Sequence, residues 1–545
     1  MTDNEKQDIK LGTVISGSLT QGVQVKLDAA KSVEDIAVGR YVAITGQKKR
    51  FFGMITDVSL EAVDPRAMVM PPDISDPFIA KVVSGTTTYG KISVLPMLTI
   101  SGGVLGETEG PQPAKTVPPH FAGVELASQR DVELVFGKED AKRFYVGTPL
   151  DMETRVCINM EELVKRSNGV FGKSGTGKTF LTRLLLIGMM QKSRSVSLIF
   201  DMHNEYGWEG TSEKDRKVKG LKQLFPGKVA VFSLDESYDK RRKVKSDFVV
   251  KVGYDEIEPE DIQLLKTVLN LTDLAVQAVY ELAKTFGDDR WMQETLNLFD
   301  ANDKKFASEH NIAEGTWRNL QRGLRIMERF KFMVPHVQDN AVRKILDYVG
   351  SGKSVVLQFG GYDDIAAYVL VANLLTRRIY NLYREKVDIA TSADTKTPDQ
   401  LVITIEEAHR FLNPEISSQT IFGKIAREMR KYNVTMLVID QRPSGIDEEV
   451  MSQLGTKIIC LLDNEKDVDA VLTGVAGKNE LKSVLSKLES KQQALIFGHA
   501  LPMPVVVKIR EYGSAESYKE LGPLGPAGGS DSGGRKTDSL DDLWG

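Results

Sequence analysis

The 545-residue chain has only two cysteines, Cys157 and Cys460, far apart and without CxxC spacing or a neighbouring histidine. That excludes a disulfide framework and offers no zinc-ligand pattern, and it suits a reducing compartment. Long apolar runs are also absent: none approaches the ~18 residues needed to span a bilayer, and the polar start from Met1 to Asp8 lacks the apolar core of a secretory signal. The expectation is a cytoplasmic protein with no integral membrane association. Positive charge is not in excess, since 71 Lys and Arg face 75 Asp and Glu for a net charge of -4. A nucleic-acid binder working by bulk charge is thereby excluded, and any such contact must be local. What is present is ordinary globular material, 41% apolar and 27% charged. At ~150 residues per domain, the length predicts three or four domains.

Residues 9 to about 145 read as short β-rich segments divided by Gly, Pro and Asp, such as 22–27, 41–44 and 51–56. This spacing predicts a small antiparallel barrel over 1–150, with the four-proline stretch Gly110 to His120 as a loop on its surface. Beyond 155, apolar strands alternate with helices, the pattern of a parallel α/β sheet. The candidate strands are 195–200, 355–359, 401–405, 435–439 and 457–462. Strand signals vanish over 258–349, where Pro259-Glu260-Asp261 opens a helix and 263–284 is apolar at helical spacing. A helical insertion therefore divides an α/β core into 151–257 and 350–510. The remainder, 511–545, is expected to be a flexible acidic tail, because 10 of the 13 residues from Gly522 to Gly534 are Gly, Pro or Ser.

Gly172-Lys173-Ser174-Gly175-Thr176-Gly177-Lys178-Thr179 fits G-x-x-x-x-G-K-[ST], with apolar Gly169-Val170-Phe171 before it and an amphipathic helical pattern, Phe180 to Gln191, after it. The glycines let backbone N–H groups turn towards phosphates, Lys178 reaches the β- and γ-phosphates, and Thr179 can ligate Mg²⁺. ATP and Mg²⁺ are the expected ligands.

Leu401 to Ile405 runs into Glu406-Glu407-Ala408-His409, which delivers two acids to a strand's carboxyl end, where open α/β sheets bind ligands. Adjacent side chains point apart, so the roles divide: Glu406 to the metal and Glu407 to the attacking water. A second strand end, Asp440-Gln441-Arg442-Pro443-Ser444, offers Gln441 as a γ-phosphate sensor. Arg427 and Arg430 lie at i, i+3 in a basic helix end and suit presentation to a neighbouring subunit's nucleotide.

Taken together, these motifs make residues 8 to 510 resemble the HerA family of hexameric DNA translocases, within the HerA/FtsK group of P-loop ATPases. The match includes Asp201-Met202-His203-Asn204-Glu205-Tyr206, the two strand-end motifs and the segment Arg427 to Tyr432. The resemblance implies a RecA-like core, a HerA-associated barrel, a homo-hexamer with ATP between subunits, and double-stranded DNA in the central channel. It also implies a partner on the barrel, either a nuclease of the NurA type in DNA end resection or another effector in anti-phage defence. Met202 and Asn204 depart from the family's usual Asp-Pro-His-Gly-Glu-Tyr, and Asp440 stands where relatives have Ser. Asp201 and Glu205 are still placed near the nucleotide. Arg430 is the first choice for the arginine finger, with Arg427 and Arg442 as alternatives.

Lys240-Arg241-Arg242-Lys243-Val244-Lys245, the densest basic run, suits either a phosphate-tracking pore loop or a solvated surface. His409 has no partner at ligand spacing and reads as structural. The tail residues Leu540, Leu543 and Trp544 suit a short partner-docking peptide. Two other readings compete with a DNA motor: a secretion or conjugation pump, and a ring scaffold for an effector. Glu407 argues against the scaffold, which needs no water-activating acid.

Overall fold

A computed structural model describes residues 10–522 except 64–68, 70–72, 74, 77, 80–81, 84–86, 102–109, 212–216, 302–303, 339, 419, 429–430, 476 and 490–491. The first strands are β1 (Lys10–Ser18), β2 (Gly22–Leu27), β3 (Tyr41–Thr45), β4 (Lys49–Ala62), β5 (Thr88–Ser101), β6 (Gln112–Pro113) and β7 (Gly123–Leu126). They run in the order β2-β1-β7-β3-β4-β5-β6, and pairing of β2 with β5 closes six of them into an antiparallel barrel. Alternation fills its interior with Val14, Val25, Val42, Ile44, Ile55 and Val94, a core separate from the rest of the molecule. Two residues of the expected proline-rich loop form β6 on the outside of β5, where prolines cost no central ladder bond.

The second sheet has twelve strands. These are β8 (Arg143–Thr148), β9 (Val156–Asn159), β10 (Asn168–Phe171), β11 (Ser195–Asp201), β12 (Val229–Ser233), β13 (Phe248–Val249), β14 (Ser354–Gln358), β15 (Gln400–Ile405), β16 (Val434–Asp440), β17 (Thr456–Ile459), β18 (Gln493–Gly498) and β19 (Val505–Ile509). Their order is β13-β12-β14-β11-β15-β16-β10-β17-β18-β19-β8-β9. The run from β13 to β17 is parallel, as the α/β pattern predicts, whereas β18, β19, β8 and β9 are antiparallel. The links from β18 to β19 and from β8 to β9 are too short for a parallel return, which needs a crossover of a dozen residues or more, so these pairs are antiparallel. The limit expected at 150 falls between β8 and β9, both strands of this sheet.

All five expected strands are present, lengthened or shortened by a few residues at their ends. Among the described residues of 258–349 the chain forms helices joined by short links, with one two-residue strand, Met333–Val334, that pairs with Val252–Gly253. The apolar stretch 263–284 is not one helix. It breaks between Pro259–Leu264 and Asp273–Phe286, where Asn270 takes φ +53 and the Thr272 hydroxyl accepts from Ala275 N. Glu258 N–H donates to Asp261 at 3.0 Å, which caps the first of these helices. Asp261 and Glu258 also bind Arg377 on the long helix Ile365–Ser392, with Asp261 Oδ2 3.0 Å from the guanidinium.

The barrel is seated on the antiparallel side of the large sheet. Tyr41 OH donates to Pro504 O and accepts from Val506 N, Ser483 Oγ donates to Thr56 O, and Tyr41, Phe52, Met54 and Leu98 join the main core. A second departure from expectation lies at the carboxyl end. Residues 511–522 are packed rather than loose: Tyr512 OH donates to Lys219 O at 2.6 Å, Tyr518 OH accepts from Lys219 N at 2.8 Å, and helix Ala515–Leu521 abuts Gln191. The linker composition begins only at Gly522, and Leu540, Leu543 and Trp544 lie outside the described residues. No helix among the described residues is long and apolar enough to cross a membrane.

Asp261 is buried and Arg377 mostly so, so removal of the acid leaves a guanidinium short of a partner inside the joint between insertion and core. Asp261→Ala is expected to destabilise the protein by about 3 kcal/mol, read as a lower denaturant midpoint.

Candidate nucleotide-binding and hydrolytic site

The site forms where the parallel strands end. β10 lies between β16 and β17, with Phe171 opposite both Asp440 and Ile459. The chain then turns through Gly172, Gly175 and Gly177 at φ +153, +77 and +95, which glycine adopts without strain. A Cβ on Gly172 would lie 2.7 Å from that of Cys460, so the first glycine also permits close packing. Thr176 is buried and closes the loop by donating to Lys173 O at 2.8 Å. The helix Lys178–Lys192 follows, its first N–H groups lacking intrahelical acceptors and thus open to an anion. This helix is not amphipathic: Leu181 to Met190 are all buried, because the sheet flanks it on one side and the chain's last described turns on the other.

A cavity of about 490 Å³ opens at the helix start. Of the predicted residues, Ser174, Gly175, Gly177, Lys178, Thr179, Phe180, Glu406, Glu407 and Gln441 line it. Gly172 and Thr176 shape the loop from behind. Lys178 Nζ donates to Lys173 O at 2.7 Å, and burial lowers its pKa. Thr179 Oγ1 donates to Glu205 Oε2 at 2.8 Å.

β15 delivers Glu406 and Glu407 with different surroundings, as their adjacency predicts. Glu406 is buried. Its Oε1 accepts from Tyr206 OH at 2.9 Å, its backbone is held by Tyr368 OH, and its Oε2 has no hydrogen-bond partner among the described residues. Burial, reinforced by Asp201 and Glu205, pushes its carboxyl well above the usual range. Asp201 is likewise raised by burial, although it accepts from the backbone N–H of Glu205, Tyr206 and Gly207. Glu407 sits at φ +48 and its Oε1 accepts from Gln441 Nε2 at 3.1 Å. Four acids thus converge beside one lysine, and one buried carboxylate oxygen among them has no hydrogen-bond partner among the described residues. The hard oxygen donors of Thr179, Glu205 and Glu406 would suit Mg²⁺.

Two of the three candidate finger arginines are described. Arg427 is engaged within its own chain, its Nε 3.0 Å from Glu449 and its Nη2 4.0 Å from Asp447. Arg442 is exposed next to Gln441. Arg430 lies outside the described residues. The basic turn is exposed at the end of helix Glu236–Arg242, where Asp235 caps the helix and also accepts from Gly361 N. Asn204, at φ +56, exchanges two amide hydrogen bonds with the adjacent Gly360, which fits an asparagine at a left-handed position.

The sequence reading missed Arg183, Tyr368 and the contact role of Glu205. Arg183 is buried, donates to Glu205 O, and lies against the rings of Phe180 and Tyr512, which also pack on each other. An arginine inside the apolar run 180–190 was the signal available for it. Nothing local marks Tyr368.

Comparison with known proteins agrees with this geometry. Residues 144–379 match the family profile "Helicase HerA, central domain", and residues 11–96 match "HAS barrel domain". The chain is 24% identical over 521 residues to a Sulfurisphaera tokodaii protein named DNA double-strand break repair helicase HerA, covering 92% of this chain and 93% of the relative. A Sulfolobus acidocaldarius protein of the same name is 24% identical over 399 residues, 72% of this chain and 74% of its own. Among solved structures, VirB4 of Thermoanaerobacter pseudethanolicus aligns at 16% identity and a TM-score of 0.42, over 69% of this chain and 98% of that one. The plasmid coupling protein TrwB with a non-hydrolysable ATP analogue aligns at 12% and 0.46, over 71% and 92%. The barrel, the phosphate loop, the strand-end acids and the two profile matches lead to one conclusion: the chain joins a HAS barrel to a core that matches the HerA central domain and carries the phosphate loop of an ATPase.

Proposed function

We propose that this protein is an ATP-driven translocase and helicase on double-stranded DNA, working as a ring of six in the cytoplasm with a nuclease or other effector docked on its barrel. The observation that carries the reading is Glu407, an acid held at the mouth of the phosphate cavity by Gln441 and by a strained turn. Nucleotide storage has no use for such a group, whereas hydrolysis needs it. The names of the relatives, DNA double-strand break repair helicase, supply the DNA substrate.

In this reading Lys178 leaves Lys173 O for the β- and γ-phosphates, while the helix N-terminus and loop N–H groups hold the remaining phosphate oxygens. Thr179, Glu205 and Glu406 would hold Mg²⁺, which neutralises phosphate charge and fixes the triphosphate's pose when bound. Glu407 accepts a proton from water as the water oxygen bonds to the γ-phosphorus. The bond from that phosphorus to the β–γ bridging oxygen breaks, and ADP departs with the electron pair. Gln441 steadies Glu407 and reads the γ-phosphate. An arginine from the next subunit, Arg430 by preference, meets the transferring group. Arg427 is the weaker candidate because Glu449 and Asp447 already occupy it. The exposed Lys243 and Lys245 offer phosphate donors to DNA.

Linear duplex DNA is expected to stimulate ATP turnover of a ring-sized particle. Lys178→Ala and Glu407→Gln should each lower that turnover by about 100-fold or more. A ring whose turnover ignores DNA would favour the pump or scaffold reading. Glu406→Gln separates stability from activity, because burial beside Asp201 and Glu205 makes the ionised form of the wild-type acid costly and leaves one of its oxygens without a partner among the described residues. Without Mg²⁺ the variant should melt at or above the wild-type temperature, while its turnover at fixed Mg²⁺ falls by about tenfold or more.

A further inference from the structure

The strand end beside Glu407 carries a buried acid that takes no part in the roles above. Asp440 ends β16 with its carboxylate fully buried beside the phosphate loop. A lone buried carboxylate is costly, and this one is compensated by three N–H groups rather than by a lysine or arginine. Its Oδ2 accepts from His409 N at 2.7 Å and faces His409 Nδ1 at 3.0 Å, while Oδ1 accepts from Arg442 N at 2.6 Å. Two of its donors therefore come from one residue, His409.

His409 Nδ1 also lies 3.7 Å from Glu407 Oε2. Its proton is directed to the nearer Asp440, so the imidazole flanks Glu407 on one side without capping it. Gln441 Nε2 donates to the other carboxylate oxygen at 3.1 Å. The backbone shows the same design. Glu407 at φ +48 is in a left-handed region that side-chain-bearing residues avoid, and such a conformation persists only where neighbours over-determine it. The anchors are Ala408 N to Ile439 O at 3.4 Å, Arg410 N to Glu407 O at 2.9 Å, and the much shorter His409 N to Asp440 bond.

We propose that Asp440 is a positioning residue for hydrolysis, which acts through His409 to hold Glu407 in its strained backbone and aimed at the γ-phosphate. The inference rests on the role of Glu407 proposed above. A serine at 440 would have a single oxygen and could not receive the ring and backbone N–H of His409 together with Arg442 N. An asparagine at 409 places its amide nitrogen near the position of Nδ1 and would keep the bond to Asp440.

The test is steady-state ATP hydrolysis by the full chain, with fluorescent ADP binding and thermal melting measured on the same samples. His409→Ala and Asp440→Ser are expected to lower kcat by about tenfold to 100-fold, with KM within about threefold of wild type and ADP affinity kept. His409→Asn should restore turnover to within about threefold of wild type. If His409→Ala retains wild-type kcat while Glu407→Gln is inactive, the positioning role is wrong and the role of Glu407 stands. If Glu407→Gln is itself fully active, that underlying reading has failed and the inference goes with it. Loss of turnover matched by loss of ADP binding and melting temperature, without rescue by His409→Asn, would make the pair merely structural and overturn the proposal. Should Asp440→Ser not fold, the two His409 variants decide.

Discussion

Negative charge gathered in a low-dielectric pocket is the constraint on which the rest of this structure depends. Asp201, Glu205, Glu406 and Glu407 meet at the ends of adjacent parallel strands, with Lys178 facing them. Like charges at such range raise one another's proton affinity, and burial adds to the effect. A fold keeps such a cluster only when something compensates it. Here backbone N–H groups serve Asp201, the Tyr206 hydroxyl serves one carboxylate oxygen of Glu406, Tyr368 fixes the Glu406 backbone, and the other carboxylate oxygen has no hydrogen-bond partner among the described residues, a place that would suit Mg²⁺.

Much of the architecture follows from holding that cluster still. The P-loop strand is placed at the centre of the sheet, so both neighbouring strand ends touch the loop. The first helix is enclosed on every side, with Arg183 beneath Phe180 and Tyr512 tying it to the strand end that carries Glu205. The antiparallel edge extends the sheet away from the site and gives the barrel a seat of shared core and hydrogen bonds. The barrel's own interior remains separate, which suits a module that presents an outer surface while the ATPase works.

What the sequence made legible was chemistry with fixed spacing. The phosphate loop, the paired acids and the barrel's alternation each state a local rule, and the structure honours all three. Partners that converge only in space were hidden: Tyr368 reaches Glu406 from a long helix, and Arg183 meets Glu205 across the helix–sheet interface. His409 read as structural because no ligand lay at sequence spacing, yet Asp440, 31 positions on, completes its environment. Periodicity misled twice. The run 263–284 carries a helical pattern through a turn set by Asn270 and Thr272, and the apolar pattern after Phe180 looked one-sided although tertiary packing covers the whole helix. The tail's composition was informative only from Gly522, so the packed turn before it went unseen.

The most direct measurement of the central claim is displacement of streptavidin from the end of a biotinylated linear duplex, followed with ATP and with a non-hydrolysable analogue. A DNA motor predicts displacement with ATP alone, abolished when Glu407 is replaced by Gln. Vigorous ATP hydrolysis on the same duplex with no displacement would contradict it, and would leave a ring whose hydrolysis serves some other purpose.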